Sequence, residues 1–172
     1  AQADTVIDNG TVTAGSETGQ GGHIEILGDR VAVIGDSNID ASGETSGGEV
    51  LIGGDKLGLN PEIKNASMTV IGADTSISAN AITHGDGGKV IVFADETSII
   101  HGDISATGGS VSGNGGFVET SGKINLDILA TPDVTANNGN GGEWLIDPNN
   151  ITIVAGTGFT GINNAHPFLS TA

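Results

Sequence analysis

The chain has no cysteine and no tyrosine, and its 172 residues hold one tryptophan, four phenylalanines and four prolines. Without cysteine there are no disulfides and no thiolate metal sites. Aromatics at 3% mean that any interior must be packed by small and β-branched side chains, in a space too narrow for large rings. Basic residues are almost as scarce, with five Lys and Arg against 21 Asp and Glu, a formal charge of −16. Such a polyanion is repelled by nucleic acid and by anionic lipid, which removes both from the expected partners. No run approaches the ~18 apolar residues of a membrane-spanning helix. Ala1-Gln2-Ala3 lacks the basic and apolar regions of a signal peptide, and the absence of an initial Met reads as a processed or excised piece. Helical periodicity is missing too. No segment keeps apolar residues at i, i+3, i+4 and i+7 for three turns.

What is abundant is glycine, 30 residues of it, without the Gly-X-Y period of collagen. Apolar residues at 36% alternate with polar ones, so this is no solvated tail. Gly-Gly pairs fall at Gly21-Gly22, Gly47-Gly48, Gly87-Gly88, Gly115-Gly116 and Gly141-Gly142, at spacings of 26, 40, 28 and 26 residues. Three spacings agree within two residues, and the long one reads as a unit carrying an insertion.

The segments after each pair align. Ile24, Val50, Val90, Val118 and Trp144 form one column, and Ile26, Ile52, Val92, Thr120 and Ile146 a second. Later in each unit Ile39, Ile77, Ile104 and Val134 align, followed by Ala41, Ala79, Ala106 and Ala136. Period-2 alternation within a ~26-residue repeat describes short strands, each with one buried face, stacked unit over unit. The unit 22–47 holds three such segments, His23–Leu27, Val31–Ile34 and Asn38–Ser42, separated by Gly-Asp turns. The expected fold is all-β: a right-handed parallel β-helix with three short strands per coil of about 26 residues. A propeller blade needs ~40 residues and hairpin turns, more than this unit offers. Residues 1–154 read as the β-helix, with the insertion near 55–69 adding a strand or a small flap through Leu57, Leu59 and Ile63. Residues 155–172 read as an irregular extension or the start of a further coil.

Chemistry is sparse. Glu25, Glu49 and Glu119 are candidate outward carboxylates for a hydrolase, but Lys89 interrupts them, and Arg30 has no cation repeated beside it for a lyase. His84-Gly-Asp86 and His101-Gly-Asp103 repeat at a spacing of 17 residues, which is not the repeat unit, so they read as turns at different corners. No catalytic, cofactor-binding or metal residue is assigned, and the turn carboxylates promise at most weak calcium binding. Three sequons occur, at Asn9, Asn65 and Asn150, of which Asn65 in the insertion is the favoured glycosylation candidate.

Three stretches resemble a known family. Ile39-Asp-Ala-Ser-Gly-Glu-Thr-Ser-Gly-Gly-Glu-Val-Leu-Ile-Gly-Gly is similar to its repeating coil. Gly115-Gly-Phe-Val-Glu-Thr-Ser-Gly-Lys and Glu143-Trp-Leu-Ile-Asp-Pro-Asn-Asn-Ile-Thr-Ile resemble the end of its first β-helical stretch. The family is that of the filamentous haemagglutinin-like and high-molecular-weight adhesins, exported by two-partner secretion. The resemblance implies a non-enzymatic structural and adhesive rod at the surface of a Gram-negative-type bacterium, or secreted from it. It implies an outer-membrane β-barrel transporter as export partner, and a glycan or protein receptor of unknown identity. The family's amino-terminal secretion domain, with its own recognisable start, is expected to lie outside this piece. Two other readings compete: a homo-filament stacked coil end to coil end, and a polysaccharide-cleaving enzyme.

Overall fold

The computed structural model describes residues 4–149. Fourteen short strands within them form three sheets, and every strand pair is parallel. The first sheet stacks β1 (Thr5–Asp8), β4 (Arg30–Val33), β7 (Met68–Ile71), β10 (Thr97–Ile100) and β13 (Asn125–Ile128). The second stacks β2 (Thr11–Thr13), β5 (Asn38–Asp40), β8 (Ser76–Ser78) and β11 (Asp103–Ser105). The third stacks β3 (His23–Ile26), β6 (Glu49–Ile52), β9 (Lys89–Ala94), β12 (Phe117–Gly122) and β14 (Glu143–Ile146). Each coil but the last contributes one strand to each sheet, the last meeting the second sheet only through the bridge from Ser105 to Asp133, so the described residues form a β-solenoid of about five turns. Residues 155–172, expected to form an irregular extension or the start of a further coil, lie outside the described residues.

β-Branched residues make these strands because their stiff side chains pack well on a pleated surface, and alternation sends every second one inward. Ile24, Val50, Val90 and Val118 are in direct register and buried, and Trp144 continues their line, half-buried against the same core. Ile26, Ile52 and Val92 form the second line, followed by buried Thr120, whose hydroxyl accepts a hydrogen bond from the Trp144 indole Nε1 at 2.9 Å. Ile39, Ile77 and Ile104 line the second sheet from inside. The third interior wall includes hydroxyls. Thr69 and Ser98 occupy the column of Val31 and Leu126, and their Oγ atoms donate to the carbonyls of Phe93 (2.7 Å) and Ser121 (2.6 Å). A buried hydroxyl that reaches a carbonyl at the coil corner offsets its own desolvation.

Two column assignments are corrected. Ile146 stays in register with Thr120 but is 40% exposed, because it sits on the terminal strand of the third sheet, with no described strand on its far side. Val134 does not continue the line of Ile104. Ser105 bridges Asp133, and the Gly142 N–H bonds the Val134 carbonyl as the Gly116 N–H bonds that of Ala106. Val134 therefore stands in the alanine column, in the place given to Ala136, and buried Pro132 follows Ile104. The cause is the loop before the glycine pair, whose length differs from coil to coil, so counting back from the pair slips the register by two residues.

The glycine pairs form the corner before the third sheet. There the backbones of successive coils approach so closely that a Cβ on Gly47 would lie 2.0 Å from the Ala79 carbonyl oxygen, and one on Gly48 2.1 Å from that of Gly22. No side chain fits. Stacking itself selects glycine at this corner.

Candidate functional site

On the outer side of the third sheet, alternation predicts a polar face, and the first coil obeys it with His23 and Glu25. In the next coils the outward positions of the Glu25 column are Leu51 and Ile91, then Glu119 and Leu145. Phe93, one outward step beyond Ile91, adds a ring. Leu51, Ile91 and Phe93 are nevertheless buried, forming a second apolar cluster separate from the interior, with Ile63 and Phe117 packed on it.

The cover is the insertion. After β6 the chain turns at Gly53 and Gly54, both at positive φ, runs out through residues 55–67 and returns as β7. It forms a flap with one 3-10 turn at Lys56–Gly58, and no added strand. Ile63 packs inward on the cluster, whereas Leu59 stands 74% exposed at the outer rim. Leu57 adopts φ 58°, a left-handed conformation that a branched side chain seldom takes. Its backbone N–H points at the Glu119 carboxylate, which accepts it at 3.0 and 3.2 Å on its two oxygens. Glu119 also accepts the Ser121 hydroxyl at 2.7 Å and is fully buried. Burial pushes its pKa up, against the lowering effect of the bonds from Ser121 and Leu57.

Charges ring the flap. The Lys56 Nζ lies 4.4 Å over the Phe117 ring, and the Lys123 Nζ lies 5.2 Å from the Phe93 centroid while bonding Asp95 at 2.6 Å. Towards the first coil, His23 bonds Glu25 at 2.8 Å and Glu49 at 2.9 Å, and Lys89 pairs with the other oxygen of Glu49. The His23 pKa is raised, chiefly by the hydrogen bond to Glu25. Beside this row the stacked glycine pairs floor a groove of about 910 Å³, walled by His23, Glu49, Lys89, Phe117 and Glu143. The close approach of the coils accounts for the groove without any ligand.

The three candidate carboxylates are placed as follows. Glu25 and Glu119 share one column with two apolar residues between them, Glu49 lies in the neighbouring column, and only Glu25 is exposed. Glu25 and Glu49 meet at His23, and Glu119 is buried apart from them under the flap. His84 and His101 lie apart, the first near Ser112 (3.3 Å) and the second bonded to Asp127 (3.0 Å). Among the described residues no group of three His, Asp or Glu is arranged to hold a metal.

Asn65 is not the exposed loop residue that the sequence leads one to expect. Its Nδ2 donates to the Gly58 carbonyl at 3.0 Å, and its Oδ1 is buried. The amide pins the flap to itself. Asn9 is exposed at the turn after β1, and Asn150 lies outside the described residues.

Sequence reasoning missed the burial of Glu119, although a signal was present. Glu49-Val-Leu-Ile and Lys89-Val-Ile-Val-Phe are unbroken apolar runs where His23-Ile-Glu-Ile alternates, and a strand apolar on both sides is covered on both sides.

Fold and face together define a parallel β-solenoid with a flap clamped to one outer sheet. It is similar to the crystal structure of the HMW1 secretion domain from Haemophilus influenzae, with 32% sequence identity and a TM-score of 0.64. The match covers 81% of this chain and 35% of that one, so the chain spans about a third of the neighbour's length. No family model matches the chain, and neither does any curated protein. The solved neighbour is itself a secretion domain.

Proposed function

We propose that the chain is part of a β-helical secretion domain of a two-partner-secretion exoprotein, related to the high-molecular-weight adhesins. The observation that carries this reading is the match of 81% of the chain, at 32% identity, to the HMW1 secretion domain. The burial of Glu119 under the flap, away from Glu25 and Glu49, favours a non-enzymatic role, in which stacked coils supply a rigid, extended surface. On this reading the parent protein leaves a Gram-negative-type cell through an outer-membrane β-barrel transporter and works as a secreted or surface-held adhesive rod. The net charge of −16 keeps such a rod soluble and off nucleic acid.

The test places the chain behind a periplasmic leader in a Gram-negative host, with and without a two-partner transporter. Accumulation in the medium only with the transporter is expected; retention in the periplasm in both strains refutes the export role. An array of glycans and host extracellular proteins, probed with the purified chain, tests the adhesive role separately.

A further inference from the structure

Among the described residues Glu119 is the only charged side chain that is fully buried, and it lies on the outward side of a sheet, where burial exists only because the flap covers it. Three observations converge on it. Both oxygens of its carboxylate take the Leu57 N–H. Leu57, the residue that offers this N–H, holds a left-handed conformation. Beneath the same flap lies the apolar strip of Leu51, Ile91 and Phe93, on which the flap's Ile63 packs beside Phe117 of β12. Backbone strain of this kind persists only where surrounding contacts enforce it, and it collects at segments that switch.

We propose that Glu119 is the latch of a closable flap: its carboxyl group holds residues 55–67 over the apolar strip, and ionisation of that group loosens the hold. The groups facing Glu119 are few. The flap brings Lys56, whose Nζ also lies over the Phe117 ring; the segment after β14 brings Asp147; β9 brings the uncharged Ile91 and β14 the uncharged Leu145. Lys56 attracts the anion and Asp147 repels it, so neither face neutralises it fully.

The sign of the effect follows from where the proton binds more tightly. Closed, the carboxyl group is buried and its pKa is raised; open, it is solvated and titrates near the ordinary glutamate value. Closure is favoured at acid pH, and the preference is lost as pH rises through the raised value. A single linked proton changes the opening equilibrium by at most about tenfold per pH unit. An open flap exposes Leu51, Ile91 and Phe93, turning a polar side of the rod into an apolar one. This inference goes beyond the export reading and does not depend on it.

Hydrogen exchange on the full 172-residue chain, corrected for intrinsic exchange chemistry, tests it between about pH 4 and about pH 8. Protection of residues 55–67 should fall several-fold as pH rises, while amides of β4 and β5 keep theirs. Glu119→Gln, which retains an acceptor for the Leu57 N–H but cannot ionise, should give a flap closed at every pH. A flat wild-type profile, or a Glu119→Gln profile with the same slope, overturns the proposal. Asp147→Asn supplies a second arm should Glu119→Gln fail to fold. Removing that repulsion should move the wild-type transition to lower pH, and an unmoved transition counts against the latch.

Discussion

Replacing Gly47 by alanine tests the coil-stacking geometry most directly. The added methyl would lie 2.0 Å from the Ala79 carbonyl oxygen and 2.3 Å from the Gly88 amide nitrogen, both backbone atoms that no rotamer change can move aside. Relief requires the two coils to part locally by more than an ångström. The hydrogen bonds that then stretch are Gly47 N–H to Asp86 O (3.0 Å), Gly88 N–H to Ala79 O (2.7 Å) and Lys89 N–H to Gly48 O (2.9 Å). Overpacking costs about 1–3 kcal/mol, and each of the three weakened bonds adds roughly 0.5–1.5 kcal/mol, for a total of about 2.5–7.5 kcal/mol. For a chain of this size that is a fall in Tm on the order of 10 °C. Urea and thermal unfolding followed by far-ultraviolet circular dichroism measure it. Coils contact only their neighbours, so the clash should also broaden or split the transition. Gly10→Ala is the control. Its Cβ meets nothing within 4 Å, and the change should stay within about 1 kcal/mol of wild type. A Gly47→Ala chain as stable as the Gly10→Ala chain would refute the close stacking of the corner.

Three further outcomes are expected. Phe93→Ala removes a fully buried ring from beneath the flap, and should cost about 3 kcal/mol in urea unfolding while raising the exchange of residues 55–67. His23 should titrate by nuclear magnetic resonance above its ordinary value of 6.5, and Glu25→Gln should bring it down. Its stabilising contribution is present at acid pH and is lost as pH rises through the raised value. A glycan transferred to the folded chain should appear by mass spectrometry at exposed Asn9 and not at Asn65, whose Nδ2 is engaged with Gly58; occupancy of Asn65 alone would contradict the flap geometry.

The interior was legible because it repeats. Ile24, Val50 and Val90 occupy the same place in successive units, and a solenoid converts sequence period directly into contact. The same counting failed at Val134, where loop length varies between coils and the register is set by the bridge from Ser105 to Asp133 and the bond from the Gly142 N–H to the Val134 carbonyl. It could not place Asn65 either, because the bond to Gly58 forms within a non-repeating excursion that has no other copy to align with. Glu119 looked like one more exposed acid, since nothing in its own strand says that residues 55–67, sixty positions earlier, fold back over it.

The sequence by itself thus determined the coil, the direction of its strands, the glycine corners and most of the dry interior, since each follows from local alternation and a fixed period. The tertiary structure alone decided which outward residues are covered, that Leu57 turns left-handed where its N–H meets a carboxylate, and that a glutamate is buried on the outside of the rod. Those features join segments that share no period. They arise from one insertion settling on one face, where burying Leu51, Ile91 and Phe93 outweighs the desolvation of a single acid.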